Sequence, residues 1–175
     1  GFSLPVSIIY FVSGEKISKD RIFSTMLLFC LLTTLLVVLL LTVLNYAGGL
    51  WIIFPEKFRN IYWQLFFVSQ FFIMQLNGII IAYLNAFKIF TPQAKFASLS
   101  AFLSLVVWVL LYFKVINLPW SGFQLVVFVS FILSIPLWLF GFYLLRKNKI
   151  IVFTKSLLKT EEFIMVMKFA FIAYL

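Results

Sequence analysis

The sequence contains no histidine and a single cysteine, Cys30. One cysteine excludes a disulfide within the chain, and without histidine no Cys-His metal site can form. Cys30 sits inside an apolar run and reads as a packing residue. Acidic residues are nearly as scarce, with five Asp and Glu against fourteen Lys and Arg. None of the five lies inside a long apolar run, so paired carboxylates for acid–base work, or for an ion site within a membrane, are missing. A glycine-rich phosphate loop is absent as well. These gaps argue against an enzyme, a metal and a bound cofactor. Charged residues make up 11% of the chain, where a soluble domain carries about a quarter.

The chain is instead 65% hydrophobic and 21% aromatic, with a mean hydropathy of +1.15. A soluble core of 175 residues cannot hide that much apolar surface, so the solvent is largely lipid. Crossing about 30 Å of hydrocarbon takes about 20 helical residues. Residues 22–46, 61–87, 96–116 and 123–145 each qualify. Residues 2–12 read as the tail of an earlier span and 163–175 as the head of a later one. The runs are apolar on all faces, unlike the alternation of a β-barrel. The expected fold is an all-α polytopic transmembrane helix bundle, with four full spans and a partial span at each end. The chain opens without a charged leader and closes within an apolar run, which predicts an internal piece of a larger protein.

Boundary signals fit these spans. Thr91-Pro92 predicts a helix start with Thr91 at the N-cap and Pro92 first in the helix, so residues 86–95 are expected to form the turn of a helical hairpin. Ser121 to Gln124 fits a capping box. Thr160-Glu161-Glu162 places two carboxylates at the positive end of the last helix. Pro136 falls inside the fourth span and predicts a kink, serving either gating or shape. Residues 150–159 fit a short helix lying on the membrane surface.

Ten basic residues flank one side of the spans: Lys16, Lys19, Arg21, Lys88, Lys95, Arg146, Lys147, Lys149, Lys155 and Lys159. The other side has Lys57, Arg59 and Lys114. The positive-inside rule puts the ten in the cytoplasm, and Trp51, Trp63 and Trp120 near the outer interface. The net charge of +9 is spread over short juxtamembrane loops. That pattern fits topology and anionic membrane lipid, and excludes a nucleic-acid stripe.

Few polar groups lie inside the spans. Gln70 and Asn77, seven residues apart, share a helix face, with Ser69 and Gln75 at other angles. They either line an aqueous cavity that meets sugar hydroxyls or bond to neighbouring helices. Small residues recur at four-residue spacing at Gly78, Ala82 and Ala86, at Ala97 and Ala101, at Ser100 and Ser104, and at Ser130 and Ser134. This spacing predicts close helix approach.

The order of these pieces resembles a known family. The span tail "GFSLPVSIIYF" leads into the basic turn "GEKISKDR". Two spans then run into "AYLNAFKIFTPQAKFASLSAFLSL", another pair follows, and "RKNKIIVFTKSLLKTEEF" enters a new span. The pattern is similar to Wzx-type polysaccharide flippases of the multidrug/oligosaccharidyl-lipid/polysaccharide exporter superfamily. The resemblance implies a two-half transporter. Residues 1–145 would run from the end of the second span through the sixth. Residues 146–162 would be a basic cytoplasmic linker, and 163–175 would begin the C-terminal half. It also implies a lipid-linked oligosaccharide substrate, other polysaccharide-assembly membrane proteins as partners, and a bacterial cytoplasmic (inner) membrane. Ser3, Ser7 and Tyr10, with Lys168 of the second half, would then line the central cavity. Lys168 would face the substrate's pyrophosphate, or else snorkel to the headgroups. A peptidoglycan-precursor flippase, a multidrug exporter, a membrane-embedded glycan polymerase or acyltransferase, and a purely structural membrane subunit remain alternatives.

Overall fold

A computed structural model describes residues 4–114, 123–151 and 157–172. The described residues are helical, with no strand among them: α1 (Leu4–Ser13), α2 (Lys19–Tyr46), α3 (Ile61–Ala86), α4 (Phe90–Tyr112), α5 (Phe123–Lys147) and α6 (Thr160–Ile172). Two 3-10 turns, Leu50–Ile52 and Glu56–Phe58, join α2 to α3. Helices α2 to α5 are long and apolar enough to cross a membrane, so the chain has the character of a multi-pass membrane protein.

The helices run up and down, so the starts of α2, α4 and α6 share one end with the finishes of α1, α3 and α5. Nine of the ten residues of the basic set lie toward this end, the basic end, and the tenth, Lys155, is outside the described residues. Helix α3 is the hub, packing against α1, α2 and α5; α6 packs on α1, and α4 on α5. One cluster forms the main core. It takes Phe11 from α1, Ile22, Phe23 and Met26 from α2, and Ile80, Ala82, Tyr83 and Leu84 from α3. Leu144 and Leu145 of α5, then Ile150 and Ile151, and Val166 of α6 complete it. All of these lie in the basic half. Cys30 joins them, 2% exposed, as its apolar setting predicts.

Three helices stop at the basic end in the same way. Glu15, Lys88 and Lys149 take left-handed φ of 51°, 57° and 52°. The next residue then donates back across the last turn: Lys16 to Phe11 O at 3.2 Å, Ile89 to Leu84 O at 2.9 Å and Ile150 to Leu145 O at 3.0 Å. This closure usually employs glycine. A lysine at the same place sets a cation at the negative end of the helix dipole.

The tight turn after α3 corrects the hairpin expected over 86–95. Only residues 87–89 separate α3 from α4, whose N-cap position is Ile89. Thr91 and Pro92 are therefore the second and third helical residues, with no side-chain cap. Pro92 is still tolerated, because the first four N–H groups of a helix have no partner within it. At α6 the helix starts at Thr160, and Glu162 caps it by accepting from Lys159 N at 2.7 Å. The Ser121 box and Trp120 fall outside the described residues. Of the surface helix expected over 150–159, residues 150–151 and 157–159 are non-helical, and 152–156 lie outside the described residues. Helix α5 continues through Pro136.

Candidate functional site

The half of the bundle away from the basic end is built from aromatic rings. Phe66 of α3 meets Phe131 of α5 edge-on, with centroids 4.9 Å apart, and tilts against Phe128 at 6.0 Å. Trp63 packs edge-on to Phe66 at 5.4 Å and to Phe58 at 4.9 Å, while Phe54 meets Phe67 at 5.3 Å. The loop below them is held by Arg59, whose Nε donates to Phe54 O at 3.1 Å, and by Gln64, whose Nε2 donates to Arg59 O at 2.8 Å. Asn60 caps α3 by accepting from Trp63 N at 3.0 Å. These rings line a half-open cavity of about 340 Å³ whose walls include Phe54, Phe58, Trp63, Phe66, Phe67 and Gln70. Rings around a single amide fit the usual ligand pocket, an apolar wall with a few polar groups that set orientation.

A second cavity, of about 180 Å³, lies between α1, α2 and α3, lined among others by Pro5, Cys30, Gln75 and Gly78. Beside it Thr33 of α2 donates to Gln75 Oε1 of α3 at 3.0 Å, a polar tie between two spans. Between α4 and α5, Ala97, Ser100, Ala101 and Ser104 face Ser130 and Ser134 across a groove of about 310 Å³. The hydroxyls there bond within their own helices, Ser104 to Ser100 O at 2.8 Å and Ser134 to Phe131 O at 2.7 Å. Small side chains leave open space at this point.

The basic end is shut. Tyr83, fully buried, donates from its hydroxyl to Lys19 O at 2.6 Å, and its ring meets Phe23 edge-on at 5.4 Å. Arg21 pairs with Glu162 through both terminal guanidinium nitrogens, Nη1 and Nη2. The Lys159 N–H and the Arg21 guanidinium hold the Glu162 carboxyl below the usual carboxylate range.

The candidate residues are spread over this frame. Gln70 is half-buried in the wall of the aromatic cavity. Asn77, two turns along α3, is half-buried and lines neither that cavity nor the one beside Gln75. Ser7 is fully buried in α1. Tyr10 stacks on Phe169 of α6, with centroids 4.5 Å apart, and Lys16 Nζ lies 4.0 Å over its ring while also bonding its hydroxyl. Lys168 is exposed on α6, next to that stack. Ser3 lies outside the described residues. Tyr10 and the Lys168 segment are thus neighbours, whereas Gln70 belongs to the far half. Sequence reasoning passed over the Thr33–Gln75 tie and the Arg21–Glu162 pair. For the first, the available signal was two polar side chains inside consecutive spans; the second, 141 residues apart, gave none.

The sequence matches no protein-family model, no curated protein and no solved structure.

Proposed function

We propose that this chain is part of a transporter in a bacterial inner membrane that flips undecaprenyl-pyrophosphate-linked oligosaccharide from the cytoplasmic to the outer leaflet, for surface polysaccharide such as O-antigen. The observation that carries the reading is an asymmetry along the membrane normal. A shut, cation-rich end faces the side that the charge rule makes cytoplasmic, and an aromatic cavity bearing Gln70 occupies the other half. Flat rings offer apolar faces to the C–H sides of sugars, and an amide both donates to and accepts from hydroxyls. In this reading Gln70 and Trp63 hold the glycan during its exit. Tyr10 and Lys168 act on the cytoplasmic side, where an ammonium can meet a pyrophosphate as a point charge. The order of spans and basic turns supports the same assignment.

The test is flipping by the full-length protein in proteoliposomes, using a fluorescent lipid-linked oligosaccharide and an impermeant quencher. The expected result is transport above protein-free vesicles, slowed about tenfold by Gln70→Leu, equivalent to about 1.4 kcal/mol of lost stabilisation. Folded protein that moves no glycan lipid, or that moves an apolar dye and not the glycan lipid, overturns the reading, the second result in favour of a drug exporter.

A further inference from the structure

The start of α2 holds both described sides of the α5–α6 connection. Lys19 Nζ donates to Lys149 O at 3.3 Å. Arg21 Nε donates to Leu157 O at 3.1 Å, while its Nη1 donates to Glu162 Oε1 at 3.1 Å and its Nη2 to Oε2. Thr25 Oγ1 accepts from Leu158 N at 2.9 Å. Glu162 Oε2 also takes the Lys159 N–H, so the start of α6 and its fastening share one carboxylate.

We propose that these contacts form a releasable latch: when the Arg21–Glu162 pair opens, α6 with residues 157–159 leaves α1 and α2, while the core of α1, α2, α3 and α5 stays packed. The two sides of the connection are anchored differently. Ile150 and Ile151 are buried in the main core, 4% and 7% exposed. Arg21 and Glu162 keep 23% and 26% of their side chains exposed, so water and salt reach the pair. Exposed pairs contribute modestly and are screened by ions, which makes them suited to opening and closing. Arg21 also concentrates the latch, because its displacement releases both Glu162 and the Leu157 carbonyl. Behind the latch α6 packs on the bundle chiefly through α1. Its buried residues are Val166 and Ala170, whereas Ile164, Met165, Phe171 and Ile172 are exposed. Its departure withdraws Val166 from the edge of the main core and parts Phe169 from Tyr10 and Phe11, and Phe163 from Phe29 at 6.4 Å, whereas the packing of α3 on α1, α2 and α5 does not involve α6.

The test is a pair of electron-spin distance measurements on the full-length protein in lipid nanodiscs, with Cys30→Ala in place and any cysteine elsewhere in the full-length protein also replaced. Labels at Leu28 and Met165, both exposed, report α2 against α6; labels at Leu28 and Met74 report α2 against α3. At about 0.1 M salt the α2–α6 distance is expected to be mainly a single short population, and about 1 M salt, with a screening length near 3 Å, is expected to add a longer one. Glu162→Gln keeps an acceptor for the Lys159 N–H but removes the charge. It is expected to raise the longer population about fivefold at low salt and to abolish the salt response. The α2–α3 distance is expected to stay unchanged throughout. A single α2–α6 distance at both salt levels and in Glu162→Gln overturns the latch. So does a parallel change in the α2–α3 pair, which would mean that the whole bundle loosens. Neither readout involves transport, so the outcome is independent of the flippase assignment.

Discussion

At the basic end five helices meet around Phe23, Tyr83, Leu145 and Val166, all fully buried; at the other end Tyr46, Trp51 and Tyr62 stand exposed around an aromatic cavity. The same chain builds both. In lipid, helices gain little from hiding apolar surface, so close packing and polar ties decide where they meet. The basic half has both. Gly141 lets α3 and α5 approach, and Tyr83, Arg21 and Thr25 bond backbone across elements. The other half has large rings in edge-on contact that prop α3 and α5 at ring width. The difference separates a half that holds, by close packing and polar ties, from a half that leaves a ring-lined pocket.

The largest expected disturbance is at Gly141, in the half that holds. A Cβ there would sit 2.6 Å from Ile80 Cγ2, a branched methyl fixed to a buried residue. Gly141→Ala is therefore expected to cost about 1–3 kcal/mol, as overpacking does, read as a lower melting temperature in detergent. Gly78→Ala is the contrast. Its Cβ would meet Pro5 Cγ at 3.9 Å, an ordinary contact, and stability is expected to change by less than about 0.5 kcal/mol. Equal losses at both glycines would erase the distinction between the α3–α5 and α1–α3 contacts.

Next comes Tyr83→Phe. The ring still fills its place, but Lys19 O loses its donor, and a loss of about 1 kcal/mol is expected. An unchanged melting temperature would show that water replaces the hydroxyl and that the basic end is less dry than its packing implies.

A smaller effect follows from pH. The Glu162 carboxyl sits below its ordinary value of 4.5, because the Lys159 N–H and Arg21 favour the charged form. Its contribution is present above that value and is lost as pH falls below it through the lowered folded-state value. Stability of the α6 docking is expected to be flat from neutral pH to about 5 and to fall under more acid conditions, while Glu162→Gln removes that part of the acid response. Identical acid profiles for the two proteins would contradict the pairing.

The smallest stability change is expected in the aromatic half. Gln70→Leu adds no strain to a half-buried wall and is expected to shift stability by less than about 0.5 kcal/mol; under the proposed function its effect falls on transport. A large drop in melting temperature would make Gln70 a structural tie and empty the cavity of its role.

Much of the fold was legible because spans are long runs without charge. Residues 22–46 foretell α2 and residues 61–87 foretell α3 to within a few positions. The hairpin turn was drawn too long, since Gln93 and Lys95 are polar whether they lie in a loop or in a helix end among headgroups. The small-residue rows were legible as helix–helix faces, but Ser100, Ser104, Ser130 and Ser134 border open space instead of a tight seam. Gly141 carried no signal, because its need for a hydrogen depends on where Ile80 falls on another helix. Gln70 stood out in the sequence by its polarity within an apolar run, and it lines the aromatic cavity. The rings that give it a setting were hidden among twenty-four phenylalanines.

The central claim is that the basic end is shut while the far half is open, and thiol accessibility measures it directly. In the Cys30→Ala protein in intact cells, an impermeant maleimide added outside is predicted to label Gln70→Cys. Ile22→Cys, fully buried at the basic end, is predicted to resist the same reagent from either face of inside-out and right-side-out vesicles. Labelling of Ile22→Cys from the cytoplasmic face, with Gln70→Cys protected, would contradict the account.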